Sequence, residues 1–247
     1  MKKRPASGRP GGAAPSSGKR GKAAEGYGRP AGRGAMNARM PTTIPQRLPN
    51  LDMHIPASNV PPNEMVYLPI TRIAQDQLSS IVLVPQDTSS SGRIGRQIIV
   101  RQVQVHLYLN SPTGGGTFRL MCIHDKSHAG QAARPALTDI FTSRDTISPA
   151  TTTSFWSMRN LDNAGRFVTI FDKIVEMDDS APATPSGPGV ANRLLRKYKK
   201  VNIPISYSGT AIPTLSNLEQ SNIFMVCSCI SAGPTNILGY IRIRYDR

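Results

Sequence analysis

The stretch Cys122–His128, CIHDKSH, contains the residue types of a metal or catalytic site. A thiol, a carboxylate and two imidazoles fall within one short segment, and the i, i+4 spacing of His124 and His128 would place two metal ligands on one face of a helix. The neighbouring sequence predicts a strand and a turn instead, because TFRLMCI alternates and DKSHAGQ has the composition of a turn. On such a backbone the two histidines share no face, so we interpret them as polar residues at a strand end.

Other motifs of phosphate binding and catalysis are incomplete in this chain. GAAPSSGKR has five residues between its glycines where a P-loop has four, and Arg20 occupies the position of the magnesium-binding Ser or Thr. Cys227 and Cys229 share a strand face but have no partner ligands, which predicts buried, reduced thiols. We therefore expect a protein that is not an enzyme, with no catalytic residues, metal or cofactor. A metal-dependent nuclease using His124, Asp125 and His128 is the enzymatic alternative.

Positive charge is concentrated at the start of the chain. Residues 1–50 hold eleven Lys or Arg and the single acid Glu25, which makes them +10 of the formal net charge of +15. A basic arm on a mildly basic body is typical of proteins that bind a polyanion such as nucleic acid. The arm residues that we predict to bind nucleic acid are Lys2, Lys3, Arg4, Arg9, Lys19, Arg20, Lys22, Arg29, Arg33 and Arg39.

Residues 1–40 also have the composition of a disordered segment. They are rich in Gly, Pro, Ala, Lys and Arg and have almost no large apolar side chain, so they cannot bury enough surface to offset their chain entropy. Such an arm would follow a phosphate backbone without reading its sequence. A solubilising tail or a nuclear-import signal are the alternatives. A second predicted nucleic-acid-binding cluster leads into a strand and consists of Arg193, Arg196, Lys197, Lys199 and Lys200.

The remainder of the chain indicates an all-β domain. Residues 41–64 are rich in proline and are predicted to form a linker. From residue 65 to 247, alternating segments such as RQIIVRQVQVHLYLN (96–110) and NILGYIRIRYD (236–246) predict seven or eight strands, with long loops and no β-α-β rhythm. We therefore predict a single eight-stranded antiparallel jelly-roll sandwich over residues 65–247. In the sequence, Ile99, Val103, Val105, Leu107 and Leu109 form the apolar face of the first of these strands, interrupted by Arg101.

The sequence also gives expectations about the compartment. No apolar run is long enough to cross a bilayer, and no apolar segment follows the basic start as it would in a secretory signal. Three cysteines without an Asn-x-Ser/Thr sequon are typical of a reducing, intracellular setting. We expect no membrane partner.

Several segments, in order, resemble capsid proteins of small circular single-stranded DNA viruses of eukaryotes, the group that includes geminivirus-like and circovirus-like viruses. The ordered elements are SGRIGRQIIVRQVQVHLYL (91–109), FRLMCIHDKSHAG (118–130), LTDIF (137–141), NAGRFVTIFDKIVEMD (163–178) and YKKVNIPISYSGT (198–210).

The resemblance implies a jelly-roll subunit that forms a homo-oligomeric, small icosahedral shell with the basic arm inside. Its partners would be the packaged single-stranded DNA genome and host nuclear-import factors, and its locations the virion and the host nucleus. A coat protein of a small or satellite RNA virus, which would package RNA, is one alternative. A nucleic-acid-binding protein that forms no shell is the other.

Overall fold

The computed structural model describes residues 48–72, 75–78, 80–89, 91–142, 153–177, 191–209 and 214–247. The basic arm 1–40 lies outside the described residues, so its disorder stays a prediction. Within the described part, no helix has the length and the apolar character needed to cross a membrane.

Antiparallel strands make up most of the described chain. The two helical pieces are one turn each, α1 (Leu137–Ile140) and a 3₁₀ turn (Leu215–Asn217). The strands are β1 (Asn50–Val60), β2 (Met65–Tyr67), β3 (Ile70–Arg72), β4 (Gln75–Leu78), β5 (Gln97–Ser111), β6 (Gly116–Asp125), β7 (Phe141–Thr142), β8 (Met158–Arg159), β9 (Phe167–Met177), β10 (Ala191–Tyr207), β11 (Leu218–Gln220), β12 (Asn222–Ser231) and β13 (Thr235–Asp246).

The strand pairing is nested. β1 pairs with β13, β2 with β12, β5 with β10 and β6 with β9, so each strand in the first half of the chain finds its partner progressively closer in sequence. The result is two main sheets, with the orders β11-β10-β5-β13-β1-β3-β4 and β2-β12-β6-β9, and β7 and β8 form a separate two-stranded sheet. Eight long and short strands folded back on themselves in this way form a jelly roll. The prediction of an eight-stranded antiparallel jelly-roll sandwich is confirmed, with β3, β4 and β11 added at the margins of the larger sheet.

The main core lies between the two sheets. Alternate residues of the larger sheet enter it, such as Met53, Val105 and Ile241, and they pack with Met225 and Cys227 of the smaller sheet. Each such side chain contributes about 1.5–3 kcal/mol when it leaves water. A second, smaller cluster covers the other face of the smaller sheet and consists of Met65, Met121, Ile123, Ile140, Phe141, Phe167 and Val226. The smaller sheet is therefore apolar on both faces, which fixes α1 and β7 against it.

The prediction of a linker over residues 41–64 is wrong over Asn50–Val60. Asn50–Val60 forms β1, and Leu51, Met53 and Ile55 are almost fully buried while Asp52 and His54 between them are exposed. The six residues between Pro49 and Pro56 are enough for an alternating half-buried segment. Pro56 itself lies where the register with β13 shifts, a position at which the missing N–H costs no ladder hydrogen bond.

The alternation of β5 changes phase at Arg101. The pairing of β5 with both neighbours shifts register between Val100 and Gln102, which marks a β-bulge. Val103 and Leu109 face the core as predicted, whereas before the bulge the buried residues are Ile98 and Val100. The predicted burial of Ile99 is therefore wrong. Arg101 occupies the bulge, and its Nε donates a hydrogen bond of 2.6 Å to Oδ2 of Asp246.

Gly239 provides a test of the sheet geometry. A Cβ at this position would overlap the backbone carbonyl oxygen of His106 on β5, which is held by the sheet and cannot move aside. We expect Gly239→Ala to lower the free energy of unfolding by about 1–3 kcal/mol. Gly165→Ala is the matched control, because nothing lies within 4 Å of its Cβ, and it should change stability by less than about 0.5 kcal/mol. Urea denaturation followed by circular dichroism measures both, and equal midpoints would contradict the close approach of β5 and β13.

Candidate nucleic-acid interface

The predicted basic arm precedes β1 in the sequence, and residues 41–49 separate the two. β1 begins at Asn50, which pairs in register with Arg244 of β13. The ten predicted binding residues of the arm lie outside the described residues, so their role stays a prediction. The chain that follows them enters the larger sheet at one end of β1.

The second predicted basic cluster lies on β10 and is divided between two faces of that strand. Because successive side chains of a strand point to opposite sides, Arg196 and Lys200 share one face. Arg193, Lys197 and Lys199 share the other. The sequence predicted one cluster of five cations. In the structure they form two separate groups, one on each face of β10.

The three residues of the second set lie on the same side of β10 as the buried Leu195. The Nζ of Lys197 is 5.9 Å from the centre of the Phe171 ring on β9, a cation–π contact. A groove of about 530 Å³ runs between β9 and β10 and is lined by three basic residues, Lys173, Arg193 and Arg196, and by one acid, Glu176.

Arg196 and Lys200 belong to a larger surface, which we call the outer face. It is the solvent-facing side of four neighbouring strands, β10, β5, β13 and β1, on the side away from the core. In the register of the sheet its residues are Asn192, Leu194, Arg196, Tyr198 and Lys200 of β10; Gln102, Gln104, His106, Tyr108 and Asn110 of β5; Asn236, Leu238, Tyr240, Arg242 and Arg244 of β13; and Asn50, Asp52, His54 and Asn59 of β1.

Three tyrosine rings stand on the outer face. Tyr108, Tyr198 and Tyr240 keep 39%, 47% and 42% of their surface exposed. The ring of Tyr240 stacks on His106 with centroids 4.6 Å apart and planes 10° apart, and the Tyr108 hydroxyl donates a hydrogen bond of 2.8 Å to Oδ1 of Asn192. Two of the rings are therefore held in fixed orientations while part of each ring faces solvent.

Four cations, Arg196, Lys200, Arg242 and Arg244, lie in the rows of Tyr240 and Tyr198 and in the row beyond Tyr198. Arg242 forms a two-pronged ion pair with Asp52, at 2.6 and 2.8 Å, and Asp52 is the one acid in the set of residues that defines the outer face. Among the described residues, no carboxylate lies within ion-pair distance of Arg196, Lys200 or Arg244. The outer face therefore carries unpaired positive charge.

His106 is neutral at the centre of this surface. Partial burial, together with the positive charges of Arg196 and Arg242, lowers the pKa of His106 below its usual value. A neutral imidazole stacks on Tyr240 without adding charge, so the surface presents rings and separate cations.

The stretch CIHDKSH ends β6 and enters a turn, as predicted. Its carboxylate, Asp125, is fully buried and accepts hydrogen bonds of 2.9 Å from both Nε and Nη2 of Arg166. Burial raises the pKa of Asp125, but the neighbouring His128 side chain and the hydrogen bonds from Arg166 and the backbone N–H of Ser127 outweigh burial and lower it to about 2. The buried carboxylate thus ties β6 to the turn before β9, which is a structural function.

The histidines of this stretch do not gather around one point. His128 is buried, its Nε2 donates to the Leu215 carbonyl at 3.1 Å, and its Nδ1 lies 3.8 Å from Oδ2 of Asp125. His124 falls on the opposite strand face from Asp125. Among the described residues, no group of three or more His, Cys, Asp or Glu side chains is placed to hold a metal ion. Cys227 and Cys229 are free and buried, as predicted.

Sequence reasoning missed most of the outer face. It singled out Arg196 and Lys200 but not Tyr240, Arg242 or Arg244. A usable signal existed, because the alternation of NILGYIRIRYD places these three residues on one parity opposite Ile237, Ile241 and Ile243.

Comparison with known proteins adds little to this description. No family model matches this chain, and no curated protein matches it. Among solved structures, the cryo-electron microscopy structure of mud crab dicistrovirus aligns with 100% of this chain and 91% of that chain, at 10% sequence identity and a TM-score of 0.22. At that TM-score the two backbones do not superpose closely, and the function of this chain has to be inferred from its own residues.

The buried Asp125 predicts a specific dependence of stability on acid. Because its pKa is lower in the folded protein than the ordinary value of 3.8, the folded state binds fewer protons than the unfolded state. Its stabilising contribution of about 2 kcal/mol is present above about pH 4 and is lost as the pH falls toward 2. Asp125→Asn should lower stability at neutral pH and flatten this part of the profile. Urea denaturation midpoints of both proteins, measured from neutral pH down to about pH 2, test this pH dependence.

Asp172→Asn is the matched control for the neutral-pH effect. Asp172 pairs with Arg119 at 2.6 Å, but its side chain is 35% exposed, so its loss should cost less than about 1 kcal/mol. Parallel pH profiles for the wild type and Asp125→Asn would contradict the proposed function of the buried carboxylate.

Proposed function

We propose that this protein is a viral capsid subunit that self-assembles into a small icosahedral shell and packages a single-stranded DNA genome through its basic arm. The observation that carries the proposal is the attachment of a strongly cationic arm to the first strand of a jelly roll. The fold alone implies no function, since lectins and cupins share it with viral coats. The arm supplies the distinguishing feature.

Charge supports an enclosed polyanion as the partner of the arm. A segment with ten cations and one acid repels its own copies, so many subunits can bring their arms together only if negative charge lies between them. A genome inside a shell meets that requirement. The same arm is compatible with recognition by nuclear-import factors, which would place the protein in the host nucleus as well as in the virion.

Exposed apolar side chains support assembly. Trp156, Met158 and Leu161, in and beside β8, are 62%, 64% and 79% exposed. Large apolar side chains grouped on a surface are typical of protein contacts. In a shell, neighbouring subunits would cover them.

The nucleic acid is assigned as DNA on the strength of the sequence resemblance, and RNA is the alternative ligand. A phosphate-binding arm does not itself distinguish the two. Extraction and nuclease digestion of the nucleic acid in purified particles identifies it.

Electron microscopy of the purified full-length protein tests assembly. We expect uniform closed shells over some range of salt and pH, with or without single-stranded DNA. Monomers or small oligomers under every condition, combined with salt-dependent DNA binding, would favour a nucleic-acid-binding protein that forms no shell.

Replacement of the ten Lys and Arg residues of residues 1–40 by Gln tests packaging. We expect shells that lack nucleic acid. The salt dependence of the affinity for single-stranded DNA should become shallower by about 0.7 for each phosphate that the arm no longer neutralises. Absorbance at 260 and 280 nm and titrations at several salt concentrations measure the two effects.

The control replaces each Lys by Arg and each Arg by Lys at the same ten positions, which retains the charge. This variant should package like the wild type. Normal packaging by the Gln variant would contradict the proposed function of the arm.

A further inference from the structure

We propose that the outer face of the larger sheet binds single-stranded nucleic acid by stacking unpaired bases on Tyr108, Tyr198 and Tyr240. This inference rests on the proposed function in taking nucleic acid as the partner, and it adds a second, structured site to the arm. The site selects single strands, whereas the arm recognises only phosphate charge.

The arrangement of the rings fits stacking. The three tyrosines stand in successive rows of the sheet, since Tyr108 pairs with Leu238, Tyr240 with His106, and Tyr198 with Gln104. Adjacent rows on one face lie two residues apart, or about 6.8 Å along the strands. Each ring keeps an exposed portion, and every base offers a π-face to such a ring whatever its sequence.

The fixed orientations of the rings favour binding. His106 holds Tyr240, and Asn192 holds Tyr108, so these rings lose little freedom when a base stacks on them. Flanking amides add donors and acceptors, since Asn192, Asn110 and Asn236 form one row at the end of the face, with Asn110 Nδ2 donating to Asn192 at 2.6 Å.

Charge complementarity identifies the occupant. Arg196, Lys200 and Arg244 have no carboxylate partner among the described residues. Arg196 lies in the same row as Tyr240, and Lys200 and Arg244 lie in the row of Asn50, next to the row of Tyr198. A strand of nucleic acid stacked on the tyrosines therefore has cations within and beside the rows of rings to pair with its phosphates. A second copy of this face is a poor occupant, because like charges would oppose one another.

The breadth of the face, which spans four strands, favours single strands over a duplex. Bases inside a duplex are stacked on each other and leave no face for a tyrosine, and a broad sheet does not enter a groove as a helix or a two-stranded ribbon does. The occupant that fits the rings and cations together is therefore an unpaired strand.

The test compares full-length protein and its variants on two probes of equal length and charge, an oligothymidine strand and an abasic strand. We expect Tyr198→Ala and Tyr240→Ala each to weaken oligothymidine binding by roughly tenfold. Binding of the abasic strand and the salt dependence should stay as in the wild type. Tyr198→Phe and Tyr240→Phe, which retain the ring, should bind like the wild type.

A measurement on the wild-type protein removes any dependence on variant folding. A strand carrying iodouridine, irradiated in the complex, should crosslink to peptides that contain Tyr108, Tyr198 or Tyr240, as identified by mass spectrometry. Crosslinks confined to the arm would overturn the proposal.

Other outcomes separate this inference from the proposed function. Alanine variants that bind oligothymidine normally but fail to assemble would overturn it and assign the face to a contact between subunits. Equal losses on both probes would overturn stacking as well. If the ring-dependent binding is found but no shell ever forms, the inference stands and the capsid function fails. If shells package DNA normally through the arm while the tyrosine substitutions have no effect on binding, the capsid function stands and this inference fails.

Discussion

The pairing of β5 along both of its edges is the constraint on which the rest of the structure depends. β10 and β13 follow β5 over nearly its whole length, with a single change of phase at Arg101. Since strand side chains alternate, this register decides for three strands at once which residues enter the core. Burial of Val105 and Ile241 and exposure of Tyr240 are therefore results of one pairing. The register that buries the core side chains therefore also places the residues of the outer face on the solvent side.

Much of the fold could be predicted because its signals are local. β6, β9, β12 and β13 each carry an alternating or wholly apolar segment bounded by turn residues, and their existence needed no knowledge of distant partners. β1 was missed because six prolines between residues 41 and 62 outweighed a short alternating segment, and only its pairing with β13 shows how Pro56 is accommodated. The phase change at Arg101 likewise depends on neighbours distant in sequence, which one strand read alone does not contain.

The candidate site was less predictable than the fold because it is assembled across the sheet. The charge pattern found the arm and the cations of β10, but a count of cations does not divide them between faces. The aromatic partners come from β5 and β13, so their proximity to Arg196 is set by long-range register. The same limitation applied to CIHDKSH, where the partner that gives Asp125 its function is Arg166, 41 residues further along. The residue types of this stretch suggested metal ligands, and only the fold showed that Asp125 forms an internal ion pair with Arg166.

The nested pairing also has a mechanical consequence. β1, the first strand after the predicted arm, begins at Asn50 and runs antiparallel to the last strand, β13, along most of its length. Hydrogen bonds of an antiparallel pair lie perpendicular to the strands. A pull on the arm along the axis of β1 therefore loads these bonds together in shear, instead of opening them one at a time from an end. Tension from a bound strand would be carried into the centre of the larger sheet, and the subunit would resist it as a unit.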